Sequence, residues 1–343
     1  MNPKKVFIIA EAGVNHNGDI VLAKKLVDVA VLAQADAVKF QTFIPELVVS
    51  QNAQKADYQK ETTGKEENQL DMIRKFQLSY QEFKELQDYC NQKQILFLST
   101  AFDMQSLRFL VEDLKIPVLK IPSGEITNLP YLKQVGKYAI QVIISTGMAN
   151  MGEIENALNV LLEAGTPKSQ ISILHCNTEY PTPFEDVNLK AMQTIGQAFG
   201  VKIGYSDHTE GIEVPIAAVA LGADIIEKHF TLDKTMQGPD HKASLTPEEL
   251  KLMVKSIRNI EKSLGNGIKT PSESEKKNTE IARRSIHIAT NLPIGHIIQE
   301  TDLVMKRPAG GLSPMMMDII IGKKLNKIKN ADEMISFSDF VFE

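Results

Sequence analysis

Lysines and histidines set inside apolar runs are the first chemistry this sequence offers. Lys39 interrupts Ala37-Val38-Lys39-Phe40, and Lys120 interrupts Val118-Leu119-Lys120-Ile121. A lysine is almost never buried without a partner, and two at neighbouring positions repel unless an anion lies between them. That pattern predicts a phosphate or carboxylate ligand. Ser123 and Ser145 add hydroxyl donors, and Gly124 and Gly147 allow backbone amides to join them. A Schiff-base lysine, Lys120 or Lys39, is the competing reading of the same positions. His208 and His229 stand at the ends of the seventh and eighth strand candidates, neighbours in a barrel, and two imidazoles there suit one divalent ion, Mn²⁺, Mg²⁺ or Co²⁺. With only two protein nitrogens such a site stays open, and its ion polarises a carbonyl oxygen. Glu11 and Glu125 are the acid–base candidates, or else salt-bridge partners of the lysines. Asp240, in Gly238-Pro239-Asp240-His241, is a further carboxylate near the site, and His241 is expected to be a surface group.

These groups are useful only if the chain brings them to one place. Short runs rich in β-branched residues, at 6–10, 37–40, 96–99, 118–121, 142–145, 171–174, 202–205 and 224–228, alternate with stretches of helical period. The helical stretches include 21–33, 80–93, 153–164, 189–199, 214–221 and 247–264. Eight β-then-α units in this length predict an α/β fold, a (β/α)8 TIM barrel, whose active site lies at the carboxyl ends of the strands. Each strand candidate ends in polar groups: Glu11, Lys39, Thr100, Lys120, Ser145, Asn177, Ser206 with His208, and Glu227 with His229. Residues 45–70 lack a regular pattern, and so long a connection reads as a lid or excursion. Thr246 before Pro247, with Glu249 following, reads as a capping box.

After 1–265, the barrel domain, the texture changes. Residues 266–283 read as a polar linker, and 284–343 as a small, mostly β domain whose short strands are broken by turns. With 343 residues, 43% hydrophobic and 24% charged, the chain is an ordinary globular protein rather than a disordered one. A net charge of −5 argues against nucleic-acid binding. The longest apolar run, 214–223, is about half a membrane span, and the apolar run after Lys4-Lys5 is too short for a signal peptide. The expectation is a cytoplasmic protein with no membrane partner.

The strings Glu11-Ala12-Gly13-Val14-Asn15-His16-Asn17-Gly18, Val38-Lys39-Phe40-Gln41-Thr42, Lys120-Ile121-Pro122-Ser123-Gly124-Glu125, Ser145-Thr146-Gly147-Met148, Tyr180-Pro181-Thr182-Pro183, Ser206-Asp207-His208-Thr209 and Glu227-Lys228-His229-Phe230-Thr231 resemble the sialic acid (N-acetylneuraminate) synthase family, in the bacterial branch that includes legionaminic acid synthases. The tail from Arg284, with Lys306-Arg307-Pro308, resembles the family's antifreeze-like (SAF) domain. The resemblance implies a metal-dependent condensation of phosphoenolpyruvate with an N-acetylmannosamine-type sugar, giving a nine-carbon 2-keto acid and phosphate. Carried over by motif, Lys39, Lys120, Ser123, Ser145 and Ser206 hold phosphoenolpyruvate, and His208 and His229 hold the metal. Glu11 or Glu125 handles the protons, Asn177 gives an amide contact, and Tyr180 and Asp240 face the sugar. Arg307 would act in trans within a domain-swapped homodimer. The sugar is N-acetylmannosamine or its 2,4-diacetamido-6-deoxy relative, the legionaminic acid precursor. Ala101 and Gln34 stand where the family generally has proline and glycine, and are expected to alter loop shape rather than chemistry. The rivals are a Schiff-base pyruvate aldolase and a non-enzymatic carbohydrate-binding barrel with an antifreeze-like module.

Overall fold

The computed structural model describes residues 5–56, 59, 60, 63 and 67–341. Of the 45–70 segment read as a lid, residues 57, 58, 61, 62 and 64–66 lie outside the described residues; the helix Pro45–Val48 lies within them. The chain divides into two compact units, 1–265 and 266–343.

The first unit is a closed parallel barrel of β1 (Phe7–Gly13), β2 (Ala37–Thr42), β3 (Leu96–Ala101), β4 (Val118–Ile121), β5 (Gln141–Ser145), β6 (Ile171–Cys176), β7 (Lys202–Asp207) and β8 (Ile225–His229), in sequence order. β1 pairs with both β2 and β8, with Glu11 opposite Lys39 on one side and His229 on the other. Helices follow the strands, several with deliberate starts. Thr246 and Glu249 form a capping box ahead of Pro247–Ser263, and Ser79 and Glu82 do so for Tyr80–Gln92. Gln34 holds a left-handed φ of 62°, a conformation that suits glycine and that costs another residue about 1–2 kcal/mol.

Strand periodicity builds the site. Ile9, Ala37, Leu98, Val118, Ile143, Leu174 and Ile225 form one apolar layer inside the barrel. On β7 that level is Gly204, where a Cβ would stand 2.3 Å from the Ile225 carbonyl oxygen and 2.6 Å from Leu174, so the leucine takes the space. Side chains alternate faces, so the residue two positions on points into the barrel one level higher. Those eight residues are Glu11, Lys39, Thr100, Lys120, Ser145, Cys176, Ser206 and Glu227, and all of them line one cavity at the carboxyl end of the strands. An apolar floor thus carries a polar layer directly above it. The intervening residues, such as Ile226 and Phe40, face the helices in the main core.

The β1 exit loop is set by Gly18, with φ +72° and a virtual Cβ 2.4 Å from the Lys75 carbonyl oxygen. Gly18→Ala is expected to lower the urea midpoint of unfolding, since the left-handed backbone alone costs about 1–2 kcal/mol and the clash adds to it. An unchanged midpoint would contradict this.

The second unit pairs Ser285–Ile288 with Leu303–Lys306 and Lys324–Leu325 with Phe340–Val341, both antiparallel, over a core that includes Ile286, Ile298, Ile335 and Phe340. The stretch read as a linker is not structureless. It carries the helix Glu273–Ala282, begun by a Ser272–Glu275 capping box, with no residue buried. A helix without an apolar face leaves no hydrophobic period in the sequence, and the polar composition therefore misled the reading. Among the described residues no helix is long and apolar enough to cross a membrane.

Candidate active site

The polar layer is a charge network. Lys39 Nζ lies 2.9 Å from Glu11 Oε2 and 3.5 Å from Glu227 Oε2, and donates to Thr100 Oγ1 at 3.0 Å. Lys120 Nζ lies 3.2 Å from Glu227 Oε1 and donates to Ser145 Oγ at 2.6 Å, while Ser206 Oγ donates to Glu227 Oε1 at 3.0 Å. The expectation that only a bound anion can hold the two lysines together is therefore corrected. Glu227, reaching in from β8, stands between them.

The two carboxylates in this network behave differently. Burial alone would raise both. At Glu227 the nearby Lys120 and Lys39 outweigh that cost and hold its pKa at about 2; at Glu11 desolvation wins over Lys39 and lifts it to about 7. Burial pulls Lys39 down, but Glu11 and Glu227 outweigh it and raise it; Lys120 ends below its usual value because desolvation dominates. Glu227, ionised, stands between the two lysines, while Glu11, lifted to about 7, gains or loses its proton near neutral pH. The cavity, about 240 Å³, is completed by Ser123, Gly124 and Cys176 among others. Ser123 Oγ accepts from the Gly147 N–H at 3.0 Å, and Cys176 is a free thiol.

One level higher stand the histidines, both lining the same cavity, with ring centroids 5.6 Å apart. His208 Nδ1 faces the Asn177 carbonyl, which can only accept, so Nδ1 carries the proton and Nε2 presents its lone pair. The Tyr180 hydroxyl meets that Nε2 at 2.9 Å. Desolvation lowers His208 to about 4 and His229 well below the usual imidazole value, so both rings are neutral. Among the described residues, the buried His229 Nδ1 has no hydrogen-bond partner. Two neutral imidazoles, one with its tautomer fixed by a carbonyl and one with an orphaned nitrogen, fit the donor chemistry an open divalent-metal site needs. Among the described residues no cluster of three or more His, Cys, Asp or Glu side chains comes together as a metal site.

A second chamber of about 300 Å³ adjoins the first, and Gln41, Phe102 and Tyr180 line both. Asp240 lines it, buried, with a carboxyl pushed up to about 7 by desolvation. Its loop is tied back to the β1 exit motif: Asn15 Nδ2 donates to Ser244 Oγ at 2.9 Å, and Ser244 Oγ donates to the Asp240 carbonyl at 2.7 Å. His241 is not a surface group. It is buried between Thr231 Oγ1 at 2.7 Å and Asn17 Oδ1 at 3.1 Å, because the loop folds back over β1.

The structure thus gathers Glu11, Lys39, Lys120, Ser123, Ser145, Tyr180, Ser206, His208 and His229 around one cavity, with Asp240 in the neighbouring chamber. Glu125 lies outside both linings and accepts from Asn128 Nδ2 at 2.5 Å, which leaves Glu11 as the buried candidate. The Asn177 amide also lies outside both: its Oδ1 accepts from the Glu179 N–H at 2.7 Å, and its contribution is the carbonyl that orients His208. Arg307 belongs to the second unit, just after Leu303–Lys306. Glu227 and Thr100 were recognised only as polar strand-end groups and Gln41 only within a motif, and none of the three was assigned a role in the site. The signal was available in the alternation on β8, which sends Glu227 and His229 inward and Lys228 outward, where Lys228 pairs with Asp207 at 2.5 Å.

Fold and site together define a (β/α)8-barrel enzyme whose mouth gathers two buried lysines, two carboxylates and a pair of neutral histidines beside a second chamber. The model of the NeuB family matches residues 26–269 and that of the SAF domain residues 283–341. The chain belongs to the NeuB family, as its motifs led us to expect. It is similar to the N,N'-diacetyllegionaminic acid synthase of Campylobacter jejuni, with 53% identity over 97% of this chain and 99% of that protein. The N,N'-diacetyllegionaminic acid synthase of Legionella pneumophila is 46% identical over 93% of this chain and 90% of its own length. Among solved structures, the N-acetylneuraminic acid synthetase of Leptospira borgpetersenii matches with a TM-score of 0.71 and 39% identity, over 80% of this chain and 90% of that one.

Proposed function

We propose that this protein is a nonulosonic acid synthase. It joins phosphoenolpyruvate to the open-chain aldehyde of an N-acetylated amino sugar and releases phosphate, with N,N'-diacetyllegionaminate as the product. The observation that carries this reading is the layer of paired lysines and hydroxyls, Lys39, Lys120, Ser145 and Ser206, opening directly onto a second chamber of sugar-site size.

Lys39, Lys120, Ser123, Ser145 and Ser206 bind the phosphate and carboxylate of phosphoenolpyruvate and present its enol carbon toward Tyr180 and the histidines. A new carbon–carbon bond forms from that enol carbon to the aldehyde carbon, and the aldehyde oxygen takes up a proton. Water then adds at C2, losing a proton, and phosphate leaves from the tetrahedral intermediate. Glu11, with a pKa of about 7, can hold or release a proton at neutral pH, which suits these transfers. A divalent ion held by His208 and His229 would supply Lewis-acid polarisation of the aldehyde oxygen. Lys120, whose pKa is depressed as a Schiff-base lysine needs, is instead engaged by Ser145 and Glu227. Phosphoenolpyruvate is a metabolite of the cell interior, which fits a cytoplasmic enzyme.

The test is phosphate release from phosphoenolpyruvate with N-acetylmannosamine or its 2,4-diacetamido-6-deoxy analogue. Release should require a sugar and a divalent ion and should stop on chelation. Release that needs neither would contradict the mechanism, and a borohydride-trapped pyruvyl adduct would support the aldolase instead.

The tail domain completes the site in trans in this reading. Mixing inactive His229→Ala subunits with Arg307→Ala subunits should therefore restore part of the activity, because one site of each mixed dimer would be intact. No recovery after subunit exchange, verified by mass spectrometry, would mean that Arg307 does not act across the dimer.

A further inference from the structure

A pair of opposite charges lies on the far side of the barrel wall from the mouth, between the strands that lead to His208 and His229. Asp207 on β7 and Lys228 on β8 are register partners, each one residue before a histidine. Alternation turns both side chains away from the cavity. Neither has any exposed surface, and Lys228 falls between Ile226 and Phe230, both of the main core. Burying two charges among apolar side chains costs about as much as their attraction returns, so such a pair adds little stability that well-packed apolar residues would not. What it can add is geometry.

That geometry is concentrated around His208. Lys228 Nζ donates to Asp207 Oδ2 at 2.5 Å and to the Thr209 carbonyl. Asp207 Oδ1 in turn accepts from the Thr209 N–H at 3.1 Å and from Thr209 Oγ1 at 2.9 Å. All three polar groups of Thr209 are thus held by the charged pair, and His208 lies between the two residues so fixed. The His208 carbonyl accepts from the Thr182 N–H, and the His229 carbonyl from the Leu245 N–H, each at 2.9 Å. The backbone that carries one imidazole is therefore tied directly to the strand that carries the other.

We infer that Lys228 is a positioning residue for the two histidines: clamped between the Asp207 carboxylate and the Thr209 carbonyl, it fixes the separation and relative aim of the His208 and His229 rings. The inference rests on the function proposed above, in which these rings hold a divalent ion. Two imidazoles share an ion only while their lone pairs converge on one point. Lys228 faces away from the cavity, so it acts through the backbone rather than by touching the ion. Removing a group that orients metal ligands typically costs about ten- to a hundredfold in metal affinity, and that sets the scale.

The experiment is calorimetric titration of Mn²⁺ into wild type, into a double variant that combines Asp207→Leu with Lys228→Met, and into Thr209→Val. Melting temperatures and phosphoenolpyruvate binding to the metal-free proteins accompany it. The double variant exchanges the charged pair for apolar side chains and leaves no buried charge unpaired. Thr209→Val is nearly isosteric, takes only the hydroxyl from the clamp, and guards against a folding failure in the double variant. The double variant is expected to bind Mn²⁺ about ten- to a hundredfold more weakly, and Thr209→Val a few-fold more weakly. Phosphoenolpyruvate affinity should be unchanged in both, because Lys39 and Lys120 are held by Glu11 and Glu227. Wild-type Mn²⁺ affinity in a folded double variant, or in Thr209→Val should the double variant not fold, would overturn the inference and leave the synthase reading intact. So would an equal loss of phosphoenolpyruvate binding, which marks a general disturbance of the mouth. No Mn²⁺ binding by wild type would remove the metal reading and the inference with it.

Discussion

His229→Ala should lose divalent-metal binding and about a thousandfold of turnover while melting at or above the wild-type temperature. The loss follows from the donor set. With His229 gone, His208 is the one imidazole left at the mouth, and several kcal/mol of transition-state stabilisation go with the site. The stability follows from the orphaned nitrogen. His229 Nδ1 is buried with no partner among the described residues, and its ring is kept neutral, chiefly by desolvation and then by His208 and Lys39. Removing such a group deletes an unsatisfied polar atom, so the folded state gives up little. Calorimetric titration with Mn²⁺, elemental analysis and a melting curve test the three parts separately. Normal Mn²⁺ affinity in the variant would remove His229 from the metal site whatever the activity.

Glu227→Gln should cost the fold about 3–5 kcal/mol, the usual penalty for removing one partner of a buried charge network. At roughly 2–4 °C per kcal/mol for a chain of this size, the melting temperature should fall on the order of 10 °C. The cause is geometric: Glu227 Oε1 is 3.2 Å from Lys120 and Oε2 is 3.5 Å from Lys39, and without its charge two buried ammonium groups share Glu11 alone. An added anion should then do for the variant what the carboxylate does for the native protein. Inorganic phosphate should raise the variant's melting temperature by more than it raises the wild type's, since a ligand stabilises in proportion to its affinity for the folded state. A variant as stable as wild type in phosphate-free buffer, or no extra response to phosphate, would show that Glu227 does not neutralise the pair.

The motifs were legible because they sit at strand ends, where a barrel must place its functional groups. Lys39, Lys120, Ser145, Ser206, His208 and His229 were all found this way, and all line one cavity. Glu125 and Asn177 were misleading for a local reason. Both lie past the strand in turn geometry, where a polar side chain often serves its own backbone or a neighbour, as the Asn177–Glu179 contact does. His241 was misread because its partners, Thr231 and Asn17, are brought to it by a loop that folds back on β1. The helix Glu273–Ala282 was missed because it buries nothing, and hydrophobic period is the signal on which helix reading depends.

What the sequence by itself determined is the layering: seven apolar strand residues and Gly204, each followed two positions later by one that lines the mouth, make a pattern local to each strand and so written in the chain. Which carboxylate stands between the lysines, and which residues after β2 wall the second chamber, were decided only by the tertiary structure. Closure of the barrel sets β8 beside β1, bringing Glu227 to Lys39 across the whole length of the domain. No spacing along the chain encodes a distance that exists only once the sheet has met itself.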